Sequence, residues 1–143
     1  MQTFLPYEDF AESAKVLDRQ RLGKQRVETL QVMKALYTPD YGWQNHPAVK
    51  MWRGHEWYLM QYQEAICNEW VARGYKDTCL EKTMDIMAGQ PVNTKRPDWL
   101  GDEDLHRSHR SNLLRKLPTH YGMIFDNTPD DLPYVWPTEN VAA

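Results

Sequence analysis

A chain of 143 residues, 41% hydrophobic and 26% charged with a formal net charge of −3, has the make-up of one globular domain, residues 1–143, with enough length to bury a core. No apolar run approaches the roughly 20 residues of a membrane span, and no leader sequence is recognised. Cys67 and Cys79 exclude a disulfide framework, and their spacing fits no zinc pattern, so the expectation is a cytoplasmic protein, away from membranes, with no metal or other cofactor.

The elements read as helical in chain order. Met1 to Tyr7 is short and apolar, and Pro6 ends any regular structure there. A first helix is predicted over Asp9 to Leu17. A second begins near Gly23 and runs to Tyr37, with Val27, Leu30, Met33 and Tyr37 spaced three and four apart on one stripe. Thr38 to Gly42 is a turn cluster. The third helix is predicted to be the longest, capped by Asn45, with Pro47 in its first turn and Gly74 as its stop. Trp52, His55, Leu59, Tyr62, Ile66 and Trp70 keep its helical spacing. A fourth helix covers Thr78 to Met87, Gln90 to Gly101 is a loop, and Asp102 caps a fifth helix that runs to about Leu117. From about Asn127 the chain becomes a Pro-rich aromatic tail. The fold class is therefore all-α: a compact bundle of about five helices with an extended N-terminal segment.

Two stretches carry candidate chemistry. Between Lys15 and Arg26 five cations face the single acid Asp18, a local charge of +4 in an acidic chain. Such concentration suits an anionic partner, or else a solvated helix face. The fifth helix carries Arg107, Ser108, His109, Arg110, Ser111, Arg115 and Lys116, and guanidinium and hydroxyl groups on one face suit phosphate oxygens. His106 and His109 stand three apart with His120 downstream, but no acid or cysteine lies at a ligand interval, so no metal is expected. Trp43 and His46 flank a predicted helix N-terminus, where anions are favoured, with Arg53 and His55 beyond it. Six Trp and eight Tyr are many for a small core, and surplus rings either stack on flat ligands or fill an aromatic core.

With these motifs in view, the chain resembles the pyrimidine dimer DNA glycosylase family of the endonuclease V type. It is similar above all to a bacterial and phage branch that shares Arg21 to Glu28, Asn45 to Gly54, His106 to Ser111 and Asp130 to Pro137. The resemblance implies a small helical domain in which an N-terminal α-amine attacks the sugar C1′ at a lesion. A Schiff base then forms and β-elimination cuts the strand. α-Amines suit this step better than lysines because they shed a proton nearer neutral pH. A glutamate early in the second helix assists, and arginines hold phosphates. Here Gly23 or Lys24 falls where that glutamate is expected. The nearest acids are Asp18 and Glu28, and Glu28 lies one turn beyond Lys24, in position to pair with it. Gln2, a bulky second residue, normally leaves Met1 in place.

Carried onto this chain, the resemblance makes Met1 or Lys24 the nucleophile. Arg21, Arg26, Arg107, Arg110 and Arg115 become phosphate ligands, and Trp43, Tyr134 or Trp136 fills the stack where a base is displaced. The partner is then DNA. The alternative expectation is a non-catalytic pocket for a free nucleotide, which the same residues serve and which the acidic net charge suits. Oligomeric state is not legible in the sequence.

Overall fold

The computed structural model describes residues 1–137. Residues 138–143, the end of the predicted tail, lie outside the described residues. The elements are α1 Phe10–Val16, α2 Arg19–Tyr37, α3 Pro47–Lys50, α4 Glu56–Ala72, α5 Cys79–Met87, α6 Glu103–Lys116 and α7 Pro118–Tyr121. Among the described residues there is no strand, and the architecture is an all-helical bundle. No helix among them is long and apolar enough to cross a membrane.

α2 is the hub. It packs against α4 and α5 on one side and α3 on another, while α1 lies on α4 and α7 on α6. α2 begins four residues before the predicted Gly23, because Asp18 caps it by accepting from the Arg21 N–H at 3.3 Å. Gly23 sits inside the helix where α2 meets α4. A Cβ there would come within 2.9 Å of the Trp70 ring, so glycine permits this approach.

The predicted long third helix is two helices. Chain direction changes over Met51 to His55, where Gly54 has φ +85°, a conformation that few other residues adopt. The sequence stripe ran through this break because Trp52 is buried in the turn as it would be in a helix. α3 is capped by His46, whose Nδ1 accepts from the Ala48 N–H at 3.0 Å, rather than by Asn45. α5 and α6 follow their predicted spans to within a residue or so, and α7 is an added turn after Pro118.

Much of the aromatic surplus is core. Trp52 and Trp99 meet edge to face at 4.9 Å, and their indole N–H groups donate to Thr3 Oγ1 and the Met51 carbonyl. Trp70 stacks on Tyr75 at 4.3 Å.

The N-terminal segment is threaded through this core without pairing in a sheet. A buried backbone must still satisfy its N–H and C=O groups, and side chains do so here. Gln25 donates to the Gln2 carbonyl at 2.8 Å and accepts from the Phe4 N–H at 2.9 Å. His109 Nδ1 accepts from the Leu5 N–H at 2.8 Å, and His106 Nδ1 donates to the Leu5 carbonyl at 2.8 Å. Tyr62 donates to the Phe4 carbonyl at 2.6 Å, and Arg110 to that of Pro6 at 2.8 Å. These bonds fix where the first residue of the chain lies.

Candidate active site

The N-terminal segment emerges into a cavity of about 450 Å³. Met1, Gln2 and Phe4 line it from the N-terminus, and Gln20, Arg21, Lys24 and Glu28 from α2. Lys116 closes it at the end of α6, and Tyr134 and Trp136 come from the tail. Arg21, Lys24 and Glu28 share one face of α2 because they are three and four residues apart. The terminal ammonium and three cationic side chains surround a single carboxylate, so the cavity is set for an anion.

Glu28 is the one acidic side chain among its lining residues. Its side chain is 15% exposed, and its two oxygens are held differently. One accepts from the Gln2 backbone N–H at 3.3 Å, and the other lies 3.7 Å from Lys24 Nζ. The carboxylate is thus next to the backbone of residue 2 and one residue from the α-amine. Lys24 itself is largely in solvent. Arg21 Nη1 lies 3.3 Å from the Asp18 carboxylate. Burial pushes Asp18 up, but the Tyr121 hydroxyl and then the Arg21 N–H and guanidinium outweigh it, so its carboxyl is held below the usual range.

His46 borders the same region. Its ring is edge-on to Trp136 at 6.2 Å and to Trp43 at 5.8 Å, and of these two indoles Trp136 lines the cavity. Burial and then the Met1 ammonium lower its pKa, with Glu28 opposing, which disfavours the protonated imidazole.

The remaining predicted site residues are spread elsewhere. Arg26, five positions after Arg21, faces away from the cavity. It pairs with Asp77 at 2.6 Å and covers the Trp70 ring at 4.5 Å. Arg53 donates to Gln44 Oε1 at 3.1 Å, and His55 Nδ1 donates to the Lys95 carbonyl at 2.8 Å. Arg107 is exposed on α6.

The polar face of α6 holds polypeptide. Ser111 Oγ accepts from the Leu132 N–H at 3.0 Å, and Ser108 Oγ from the Val135 N–H at 3.1 Å. Arg115 Nη1 donates to the Asp130 carbonyl at 2.7 Å and its other nitrogen to Asn112. Arg110 pairs with Glu103 as well as Pro6. His109, fully buried between Phe4 and Tyr134, has its pKa pushed down to about 3, by burial first and then by His106. It serves as a neutral acceptor. His106 and His109 thus grip one residue, Leu5, while His120 bonds to the Val16 carbonyl at 2.9 Å.

The sequence singled out Met1, Arg21, Lys24, Lys116, Tyr134 and Trp136, and the fold brings these six together. The lining residues that sequence reading did not select are Gln2, Phe4, Gln20 and Glu28. The spacing of Arg21, Lys24 and Glu28 on one helix face was the available signal for Glu28.

No curated protein and no solved structure matches the chain. A family model described as pyrimidine dimer DNA glycosylase matches residues 1–83, more than half of the chain and the part that carries Met1, Arg21, Lys24 and Glu28. The chain belongs to the pyrimidine dimer DNA glycosylase family.

Proposed function

We propose that the protein removes damaged pyrimidines from DNA and then nicks the strand, with the Met1 α-amine as nucleophile and Glu28 as the acid–base group. One observation carries the reading: Met1 and Glu28 line the same cavity, and the carboxylate accepts a hydrogen bond from the very next backbone N–H. This juxtaposition supports the reading although Lys24 falls where the glutamate is expected: one turn further along the helix, Glu28 lies beside the backbone of residue 2.

In this mechanism the amine lone pair attacks the sugar C1′. The N-glycosidic bond breaks, and the base departs with the bonding electrons and takes a proton from water. The amine gives up a proton to Glu28, which passes it to O4′ as the C1′–O4′ bond opens, leaving an iminium between Met1 and C1′. The Glu28 carboxylate, which has given its proton to O4′, then takes one from C2′, and the electron pair expels the 3′ phosphate and cuts the strand. Water then hydrolyses the imine and restores the amine. Arg21, Lys24 and Lys116 hold phosphates at the rim, and Tyr134 and Trp136 supply flat surfaces for an unstacked base.

The volume of the cavity, within the usual range of small-ligand pockets, also favours a second reading, the binding of a free nucleotide without turnover. A duplex containing an abasic site, incubated with the protein and borohydride, separates the two. The glycosylase reading expects a covalent adduct. It also expects strand cleavage to fall by about 100-fold or more in Glu28→Gln while DNA is still bound. No adduct, together with a melting temperature raised by free nucleotides, would establish the binding reading instead.

A further inference from the structure

Trp43 is 46% exposed, yet its surroundings hold it in place. It lies in the connection between α2 and α3. Its carbonyl accepts from the His46 N–H at 3.0 Å. The next residue, Gln44, donates to the Thr38 carbonyl at 2.6 Å and accepts from Arg53 at 3.1 Å. The His46 ring is fixed as well, because its Nδ1 accepts from the Ala48 N–H. That ring meets both Trp43 and Trp136, and Trp136 meets Tyr134 at 5.8 Å. Aromatic surface therefore continues from the cavity wall past His46 to an indole outside the cavity. A platform held in advance loses little freedom when a flat ring settles on it. The cationic side of the site is thin by comparison. Arg26 pairs with Asp77, Arg110 with Glu103, and Arg115 bonds to the tail. Arg21 and Lys24 reach the cavity, but Arg21 lies beside Asp18 and Lys24 beside Glu28.

We propose that the protein takes its lesion in unpaired DNA, with the lesion nucleotide in the cavity and the base of a flanking nucleotide of the same strand stacked on Trp43. The inference rests on the glycosylase reading above for its chemistry. It follows from which contacts the surface can supply. A duplex is held mainly through its phosphates, and its bases are stacked on one another with their faces covered. An unpaired strand offers base faces, and each face that settles on an aromatic side chain adds affinity with little regard to sequence. This chain carries a net charge of −3 and commits several of its arginines to carboxylates or to its own backbone, while a fixed, exposed indole stands next to the rings that border the cavity. Arg53, exposed and bonded to the neighbour of Trp43, is a cation for the phosphate of the flanking nucleotide. In a duplex that base would first have to leave its stack, at a cost of a few kcal/mol. The Trp43 contact is thus made on an open strand and forgone on an intact helix.

Two measurements test this. In the first, one abasic oligonucleotide is trapped with borohydride at limiting protein, both as a single strand and annealed to its complement. The wild type is expected to trap the single strand faster. Trp43→Ala should slow trapping of the single strand by about ten-fold, the effect of one lost stacking contact, and leave the duplex within about two-fold. Trp43→Phe, which keeps a flat ring, should recover most of the loss. Faster trapping of the duplex by the wild type overturns the proposal, as does a Trp43→Ala variant that changes both substrates equally or neither. The second measurement needs no chemistry. Binding is compared between single strands that hold a tetrahydrofuran residue at the lesion position and strands in which a flanking base, on one side or the other, is also removed. Removal on one side should weaken the wild type by about ten-fold and Trp43→Ala by no more than about two-fold. Equal losses in the two proteins, or none in the wild type, overturn the Trp43 contact. A wild-type protein that traps neither abasic substrate overturns the glycosylase reading, while the binding comparison still decides whether Trp43 holds a base.

Discussion

Helices α2 and α6 both look like anion-binding surfaces in the sequence, and the fold uses them differently. On α2 the side chains of Arg21 and Lys24 reach an open cavity with Glu28 between the chain terminus and Lys24. On α6, Ser108, Ser111 and Arg115 are engaged by the backbone of the tail, and His106 and His109 by the backbone of Leu5. The lesson is that hydroxyl, guanidinium and imidazole groups satisfy a peptide as readily as a phosphate. A chain that runs two extended segments over a helical core needs such groups for itself. α6 shapes the cavity by fixing what lines it, while α2 supplies most of its charged lining.

The contrast is sharpest at His109. Replacing it by Ala leaves the Leu5 N–H unpaired in the core and opens a cavity, so the chain is expected to lose about 2–4 kcal/mol of stability in denaturant unfolding. A loss below about 0.5 kcal/mol would mean that α6 does not hold the N-terminal segment.

Acid should expose the same residue. The unfolded imidazole takes up a proton near pH 6.5, while the buried one resists until about pH 3. Between those values the unfolded state binds the extra proton. The contribution of His109 is therefore complete above pH 6.5 and declines by up to about 1.4 kcal/mol per pH unit as pH falls toward 3. Below about pH 4, Asp18 adds a loss of the same sign, because its folded carboxyl titrates lower than its unfolded one. Melting temperature followed against pH should decline less steeply below 6.5 in His109→Gln than in the wild type, and equal slopes would remove the assignment.

The difference between neighbouring cations is smaller and just as diagnostic. Arg115→Ala frees the Asp130 carbonyl from its partner and should cost about 1 kcal/mol of stability. Lys116→Ala should leave stability within about 0.5 kcal/mol. It should instead weaken DNA binding and reduce the salt dependence of that binding by about one unit of slope. The reverse pattern in the two variants would exchange the roles assigned to these residues.

The helices were legible where capping and periodicity agreed, as in the Asp102-capped α6 and in α5 before Gly89. They were not legible where a buried aromatic kept the spacing through a turn, as Trp52 does between α3 and α4. Cation identity was legible, but cation direction was not. Arg26 and Arg21 are equivalent in the sequence, yet one covers Trp70 and the other faces the cavity. Glu28 was read as a partner for Lys24, and it does lie beside it. Its second contact, to the backbone of residue 2, is made 26 residues away and depends on Gln25, His106 and His109 drawing the terminus inward. Gln2 was visible only as a bulky neighbour of Met1, because its burial between Glu28 and Gln25 is a property of the folded surroundings.

The central claim is that the fold holds the chain terminus beside Glu28 so that its amine does the chemistry. Peptide mapping by mass spectrometry of the borohydride-trapped adduct with abasic DNA tests it most directly. The account predicts a sugar remnant on the α-nitrogen of Met1. A remnant on Lys24 Nζ, with the α-amine unmodified, would contradict it.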